Sequence, residues 1–174
     1  ASKVATLPRT FFDIADMAKD YANNAYPYTP PVGLMNGLKK SLEMIEAEGL
    51  EAVFARHTRI ATGVRHAVQA WGLTLCAARP DLYSDTVSAI RTPEGFNATE
   101  IVTKAARDYG MAFGVGLGEV AGKVFRIGHL GSLTDAMMLS GLATAEMVMV
   151  DLGLNITLGS GVAAAQAYYR HGKA

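Results

Sequence analysis

The sequence has little cysteine and no surplus of charge, and both absences exclude classes of protein. Cys76 is the single cysteine among 174 residues, so the chain forms no internal disulfide and no cysteine zinc site. Sixteen basic residues balance sixteen acidic ones, and only 18% of the residues are charged. Without a basic excess, we expect neither nucleic acid nor an anionic membrane surface as a partner.

Long uninterrupted apolar runs are also missing. The most apolar stretch, residues 136–154, carries Glu146, Asp151 and two glycines, and it falls short of the about 20 apolar residues that cross a bilayer. We therefore predict a buried helix there and no membrane anchor. Residues 1–13 show no basic start followed by a long apolar run, so we expect no signal peptide. With the lone cysteine, this favours a cytoplasmic protein, and a peroxisomal location stays open.

Apolar residues are abundant enough to form a core. Half of the residues are hydrophobic, which excludes intrinsic disorder. A chain of this length buries about two thirds of its unfolded surface when it folds. We therefore expect one globular domain, or one domain with part of a second.

Helical spacing governs the first half of the chain. Residues 1–30 read as irregular, because prolines near their end forbid a regular helix. Apolar residues then recur every three or four positions over residues 34–45 and, for about six turns, over residues 50–71. Two consecutive helices are predicted, the second of them long and ended by Gly72.

After Gly72 the pattern changes to short, partly β-branched segments separated by turns. Strands are predicted at residues 73–77, 86–91, 111–115 and 123–127. Helices are predicted from an Asn97 cap to Gly110, from a Ser132 cap to about Asp151, and over residues 161–171. The predicted fold class is α/β, an α+β small domain in which a long helix leads into a small, mostly antiparallel sheet covered by helices.

The first part of the chain holds few strand candidates and no sheet of its own. We place a domain boundary in or near the long helix, around residues 50–70. Residues 1–49 then resemble the edge of a larger body, although an arm wrapped over a partner subunit predicts the same pattern.

A glycine motif at residues 116–121 matches the dinucleotide-binding pattern G-x-G-x-x-G/A. That pattern binds a pyrophosphate only between a strand and a helix, whereas residues 123–127 alternate like a second strand. A flexible loop between two strands is the favoured interpretation.

Arg126 stands out because it lies in a predicted strand between apolar neighbours. An unpaired charge in such a place is very unfavourable, so we expect an anion beside it. The planar guanidinium suits a carboxylate held by two hydrogen bonds. A carboxylate ligand and a structural ion pair with an Asp or Glu of the same domain both fit the sequence.

No other side chains form a recognisable catalytic set, and we expect no metal site. We interpret His57 and His66 as structural, because their spacing of nine gives no metal pair. His129, in the segment Gly128-His129-Leu130-Gly131, could face a cleft. Three arginines of the long helix are expected mostly on its solvent side; they are Arg56, Arg59 and Arg65.

Two hydroxyl side chains lie on a segment stiffened by prolines. Tyr26 and Thr29 can each donate a hydrogen bond to a phosphate. Packing of this proline-rich turn against a partner subunit explains them equally well.

Several segments together resemble the class V, fold-type I aminotransferases, in the serine–glyoxylate or alanine–glyoxylate branch. The resemblance covers essentially the whole chain, and the long block at residues 121–131 is specific. The matching segments are residues 26–30, 48–51, 55–57, 70–73, 116–118, 121–131 and 159–165.

The resemblance implies a function and three site residues. Members of this family use pyridoxal 5'-phosphate to move an amino group from an amino acid, typically serine or alanine, to glyoxylate or a similar small 2-oxo acid. By the same resemblance, Arg126 binds the substrate α-carboxylate, and Tyr26 and Thr29 reach across a homodimer to the cofactor phosphate. Residues 1–55 become the end of the large cofactor-binding domain with a dimer contact, and residues 56–174 become the carboxy-terminal small domain.

The resemblance also places essential groups upstream of Ala1. The family's Schiff-base lysine follows a strand in a Ser-x-Lys context, and Ser2-Lys3 has no such strand before it. The implied partner is therefore the missing amino-terminal half of the same enzyme, and the chain alone is predicted to be inactive. An alternative stays open: a stand-alone small α/β module that binds a carboxylate ligand or a protein partner without catalysis.

Overall fold

The computed structural model describes residues 4–8 and 13–171. The chain forms two compact units, Ala1–Glu48 and Gly49–Ala174. Each unit is built from elements that are contiguous in sequence. Helices account for the first unit, and a sheet with helices for the second.

The first unit begins with a helix that the sequence interpretation missed. Helix α1 spans Ile14–Ala22, and the Asp13 side chain caps it by accepting a hydrogen bond from the backbone N–H of Ala15 at 3.0 Å. The expectation that residues 1–30 are irregular is therefore wrong over α1. The signal was present, because Asp13 precedes apolar residues at helical spacing, Ile14, Met17 and Tyr21.

The second helix of this unit, α2, spans Val32–Glu48 and confirms the prediction for residues 34–45. Its apolar side chains are all more than a third exposed, among them Leu34, Leu38 and Leu42. Indeed, no described residue of the first unit is buried. This unit therefore has no hydrophobic core within the described part of the chain.

The second unit opens with α3, the long helix Leu50–Ala70. Gly49, just before it, has a positive φ of 86°, and Gly72, just after Trp71, has a φ of 69°. Glycine adopts this left-handed region without the penalty that a side chain brings. The helix is therefore bounded at both ends by residues suited to breaking it, as the sequence predicts for Gly72.

The sheet has four antiparallel strands in the order β1-β2-β4-β3. Strand β1 covers Thr74–Leu75, β2 covers Val87–Arg91, β3 covers Gly114–Val115 and β4 covers Val124–Gly128. All four lie inside or overlap the predicted segments, although β1 and β3 are only two residues long.

The two faces of the sheet differ. Buried Ile90 of β2 pairs with buried Phe125 of β4, and both belong to the hydrophobic core. The next pair along, Ala89 and Arg126, points to the opposite face because side chains alternate along a strand. Helices α3 and α4 contact the strands, and they cover the face that carries Ile90 and Phe125. Arg126 therefore stands on the face that these helices leave open.

The remaining helices complete the second unit. They are α4, Ala98–Tyr109, α5, Asp135–Asp151, and α6, Ser160–His171. Helix α5 packs on α3 and α4, and α6 packs on α3 and α5. The α/β class, with a long helix leading into a small antiparallel sheet covered by helices, is confirmed.

The helix caps agree with the sequence at one position and differ at another. Asn97 caps α4 by accepting a hydrogen bond from Thr99 N–H at 3.1 Å, as predicted. The predicted Ser132 cap of α5 is wrong, because Thr134 accepts the hydrogen bond, from Met137 N–H at 3.3 Å. Ser132 lies too far before Asp135, the first helical residue, to reach the first turn.

Candidate functional site

Arg126 lies in the middle of β4, between two of the smallest residues of the sheet. Its cross-strand partners are Ala89 on β2 and Gly114 on β3. Its side chain is half-buried, whereas its neighbours Phe125 and Ile127 are buried in the core. Phe125 and Ile127 therefore anchor β4 in the core, and Arg126 between them presents its guanidinium on the open face of the sheet.

The hydrogen bonding of Arg126 leaves most of the guanidinium available. Its Nε donates to the carbonyl oxygen of Val115 at 2.9 Å. Neither terminal amino group has a hydrogen-bond or ion-pair partner among residues 4–8 and 13–171. Of the two sequence interpretations, the ion pair with an Asp or Glu of the same domain is therefore absent from the described chain. The two terminal amino groups form the pair of donors that a carboxylate accepts side by side.

A hollow of about 170 Å³ opens along the neighbouring strand β2. Val87 and Ala89 form part of its wall, together with Tyr83 and Ser84 from the turn before β2. Ala89 is the cross-strand partner of Arg126, so this hollow begins one strand away from the guanidinium. The hollow is lined from β1, β2 and the turn before β2, and Arg126 is not part of its wall.

The loop that follows β4 is fixed by a buried histidine. His129 has Nδ1 at 3.0 Å from the carbonyl oxygen of Asp85 and Nε2 at 3.0 Å from Ser88 Oγ. Because a carbonyl only accepts, the Nδ1 carries the proton and Nε2 accepts from the serine hydroxyl. Burial lowers the pKa of His129 below its usual value. The idea that His129 faces a cleft is wrong, since the side chain is fully buried.

His57 on α3 holds the end of the same loop. Its Nε2 accepts a hydrogen bond from the backbone N–H of Gly131 at 3.0 Å, and its Nδ1 lies 2.7 Å from the carbonyl oxygen of Val53. Arg56 donates to the carbonyl oxygen of Gly131 at 2.7 Å. Both backbone polar groups of Gly131 are thus bound by neighbouring residues of α3, in agreement with the structural interpretation of His57.

The expectation that three arginines of α3 lie mostly in solvent is wrong. Arg59 forms an ion pair with Asp135, donates to the carbonyl oxygen of Tyr169 at 2.7 Å and packs over the Tyr169 ring. Hydrogen bonding to Asp135 raises the pKa of Arg59. Arg65 pairs with Asp85 in the turn before β2. These side chains connect α3 to distant segments, which the helical spacing alone does not reveal.

Glu146 is an important residue that the sequence interpretation missed. It lies on α5, is only 2% exposed, and accepts four hydrogen bonds. The donors are Trp71 Nε1 and the backbone N–H groups of Gly159, Gly161 and Val162, at 2.6–3.2 Å. A carboxylate at a helix N-terminus satisfies N–H groups that have no partner inside the helix. Glu146 therefore fixes the start of α6 against α3 and α5.

The glycine-rich segment after β3 is a loop between two strands, as predicted. Residues Gly118–Val120 form a single short 3₁₀ turn, and the chain then returns along β4. Gly116 packs closely, because a Cβ there would lie 2.2 Å from the carbonyl oxygen of Val120. No α-helix lies between β3 and β4, so the geometry that binds a pyrophosphate is not formed.

Tyr26 and Thr29 lie in the first unit, in the segment between α1 and α2. Both residues are exposed, Tyr26 by 56%. Neither hydroxyl has a hydrogen-bond partner in the described part of the chain. Arg126 belongs to the second unit.

Residues 4–8 and 13–171 contain no cluster of His, Cys, Asp or Glu arranged to hold a metal ion. None of their helices combines the length and the apolar character needed to cross a membrane.

Known proteins resemble this chain along almost all of its length. The L-aspartate–glyoxylate aminotransferase of Paracoccus denitrificans is 75% identical over 170 residues, which are 98% of this chain and 43% of that protein. The serine–glyoxylate aminotransferase of Hyphomicrobium methylovorum is 52% identical over 168 residues, which are 97% of this chain and 42% of that protein. The chain belongs to this aminotransferase family. It spans about two fifths of the length of these relatives and matches their carboxy-terminal portion.

Solved structures of the aminotransferase fold agree with this assignment. Pyridoxamine–pyruvate aminotransferase from Mesorhizobium loti superposes with a TM-score of 0.78 and 36% identity, over 84% of this chain and 38% of that one. Ureidoglycine–glyoxylate aminotransferase from Bacillus subtilis reaches a TM-score of 0.85 at 23% identity, over 97% of this chain and 44% of that one, and so supports the fold alone. No protein-family model matches the sequence.

Proposed function

We propose that the full-length protein containing this chain is a pyridoxal-phosphate-dependent aminotransferase. It moves an amino group from a small amino acid, such as serine, alanine or aspartate, to glyoxylate or a similar small 2-oxo acid. The relatives named above act on glyoxylate with serine or L-aspartate, according to their names. The observation that carries the proposal is the guanidinium of Arg126, which offers two free terminal amino groups on an open sheet face.

Arg126 binds the α-carboxylate that amino-acid donors and 2-oxo-acid acceptors share. Its Nε is already held by Val115 at 2.9 Å, so the guanidinium is oriented before the substrate arrives. Two parallel hydrogen bonds fix both the position and the direction of a carboxylate. Orienting the reacting bond in this way lowers the barrier by several kcal/mol in favourable cases, about 7 to 11 at most.

The two hydroxyls of the first unit fit a cofactor phosphate. Tyr26 and Thr29 are exposed, and their hydroxyls are free to donate within the described chain. A phosphate accepts such hydrogen bonds on three oxygens. We propose that Tyr26 and Thr29 hold the phosphate of pyridoxal 5'-phosphate, which supplies the electron sink for amino-group transfer when it is bound. In a homodimer, these residues serve the cofactor of the neighbouring subunit.

The proposal extends to the domain division and the location. We propose that residues 1–55 end the large cofactor-binding domain and contribute the dimer contact, and that residues 56–174 form the small domain. A cytoplasmic location rests on the single cysteine, Cys76.

A donor assay on the full-length protein tests the proposed function. Purified protein with bound cofactor is incubated with glyoxylate and with serine, alanine or aspartate in separate reactions. Glycine should form together with one equivalent of the 2-oxo acid of the donor, because only the amino group changes carrier. Absence of glycine with all three donors would contradict the proposal. Calorimetric binding of these acids without turnover would instead support a carboxylate-binding module.

A further inference from the structure

Gly114 lies directly beneath the guanidinium of Arg126. It is the cross-strand partner of Arg126 on the edge strand β3. A Cβ built on Gly114 would lie 3.0 Å from Nε, 3.2 Å from Cβ and 3.4 Å from Cζ of Arg126. The three nearest atoms thus all belong to one side chain, and the arginine occupies the space that any other residue at position 114 would fill.

These distances are much shorter than those of an ordinary pair in a sheet. Directly opposed Cβ atoms on antiparallel strands are about 4.5–5.5 Å apart. A distance of 3.2 Å between Cβ atoms would force the strands or the side chain to move. The Cβ of Arg126 is fixed by β4, whose neighbouring residues are in the core. The side chain beyond Cβ is the part that can shift, and Nε with it.

The backbone of Gly114 does not itself require glycine. Gly114 is absent from the residues with positive φ, in contrast to Gly110 with a φ of 64° and Gly118 with a φ of 56°. An alanine at position 114 would therefore meet no torsional strain of the kind that favours glycine. The absence of a side chain at this position is explained by the arginine that crosses it.

We propose that Gly114 is a positioning residue for the carboxylate-binding arginine. Lacking a side chain, it lets Arg126 lie across β3, so that Nε reaches the carbonyl oxygen of Val115. That single hydrogen bond holds Nε and leaves the two terminal amino groups without a partner in the described chain, so they can bind a carboxylate. This inference rests on the proposed function and adds a residue that acts through Arg126.

The Gly114→Ala variant of the full-length protein tests the inference by steady-state kinetics. The added methyl group would lie 3.0–3.4 Å from Nε, Cβ and Cζ of Arg126, so the arginine must shift by a few tenths of an ångström and its paired donors lose their alignment with a carboxylate. We expect the KM for the amino-acid donor to rise severalfold, with kcat at saturation and cofactor absorbance little changed. Gly141→Ala is the matched control, because a Cβ there meets nothing within 4 Å; it should leave the KM unchanged.

A double-mutant cycle separates positioning from a general structural effect. If Gly114 acts only through Arg126, the Gly114→Ala change should have no further effect on KM in an Arg126→Ala background. An equal loss in both backgrounds would overturn the inference. If Arg126→Ala alone leaves the KM unchanged, both the role of Gly114 and the proposed function are refuted. If Arg126→Ala raises the KM and Gly114→Ala does not, only the role of Gly114 is refuted.

A crystal structure gives a readout that does not depend on activity. In the unsubstituted protein with bound glyoxylate, Nε should stay within about 3.2 Å of Val115 O while the terminal amino groups meet the carboxylate. In Gly114→Ala, the Nε–Val115 hydrogen bond should be lost. A guanidinium that leaves Gly114 to bind the ligand in the unsubstituted protein would overturn the inference even if the variant fails to fold.

Discussion

The indole nitrogen of Trp71 donates a hydrogen bond to Glu146 Oε1 at 2.9 Å, although the two residues are 75 positions apart in the sequence. Trp71 ends α3 and Glu146 lies in the middle of α5. The same carboxylate binds the first backbone N–H groups of α6. One buried acidic side chain therefore connects α3, α5 and α6.

Replacing Glu146 with glutamine should destabilise the protein strongly. All four partners of the carboxylate are donors, so the amide group of glutamine would place a donor against donors. Hydrogen bonds to charged groups contribute about 1.5–3 kcal/mol each, and a buried unsatisfied group costs about 1–3 kcal/mol. We expect the free energy of unfolding to fall by about 2–4 kcal/mol in a denaturant titration. The control Glu119→Gln, at an exposed site, should change it by less than about 0.5 kcal/mol.

The crossing of α3 and α6 depends on a glycine. A Cβ at Gly63 would lie 2.2 Å from Cζ of Tyr169, whose hydroxyl donates to the carbonyl oxygen of Ile60 at 2.9 Å. Gly63→Ala should therefore lower the free energy of unfolding by about 1–3 kcal/mol, the usual penalty of overpacking. Gly141→Ala, another buried helical glycine with open space around it, should be neutral or stabilising by up to about 1 kcal/mol. Equal effects of the two changes would refute this account of the crossing.

The proposed phosphate ligands predict a change in cofactor affinity. Tyr26→Phe and Thr29→Val each remove one hydroxyl donor and keep the shape of the side chain. A hydrogen bond to a charged group contributes about 1.5–3 kcal/mol, so the dissociation constant of pyridoxal phosphate should rise about 10- to 100-fold in each variant. Fluorescence or absorbance titration of the apoprotein measures it. Tyr21→Phe, at an exposed tyrosine of α1, is the control, and a loss of affinity as large as that of Tyr26→Phe would count against the assignment.

Buried His129 predicts how stability depends on pH. Its pKa in the folded protein lies below the unfolded value of about 6.5, mainly because of burial. The unfolded chain therefore takes up the proton first, and the stability that neutral His129 contributes is complete above about pH 6.5 and is lost as the pH falls toward the folded-state pKa. Denaturation from pH 8 to 5 should show this decline. His129→Gln should be less stable at pH 8 and should show a shallower decline than the unsubstituted protein.

Local signals in the sequence are enough to predict most elements of the second unit. Gly72 and Gly110 end helices with positive φ values, and Asn97 caps α4, because these effects act within one helical turn. Helix α1 was missed although Asp13 and its apolar spacing are equally local. The prolines that follow α1 disfavour a helix only near their own positions, whereas the prediction extends their effect to all of residues 1–30.

Contacts between distant segments are not predictable from spacing. Arg59 and Asp135 are 76 residues apart, and the position of Arg59 on a helix gives no sign of that partner. For Arg126, the sequence predicts an anion because the charge lies in an apolar strand. The role of Gly114 depends on the strand order that brings β3 beside β4, and no local pattern reports that order.

The kinetic response to replacement of Arg126 tests the central claim most directly. In the full-length protein, Arg126→Ala should reduce kcat/KM for the amino-acid donor at least about 100-fold, through KM, while cofactor absorbance is unchanged. Arg126→Lys should recover part of that loss, because an ammonium keeps the charge without the paired geometry. Arg79→Ala, which removes an exposed arginine paired with Asp81, should match the unsubstituted protein. A donor KM in Arg126→Ala equal to that of the unsubstituted protein would contradict the account.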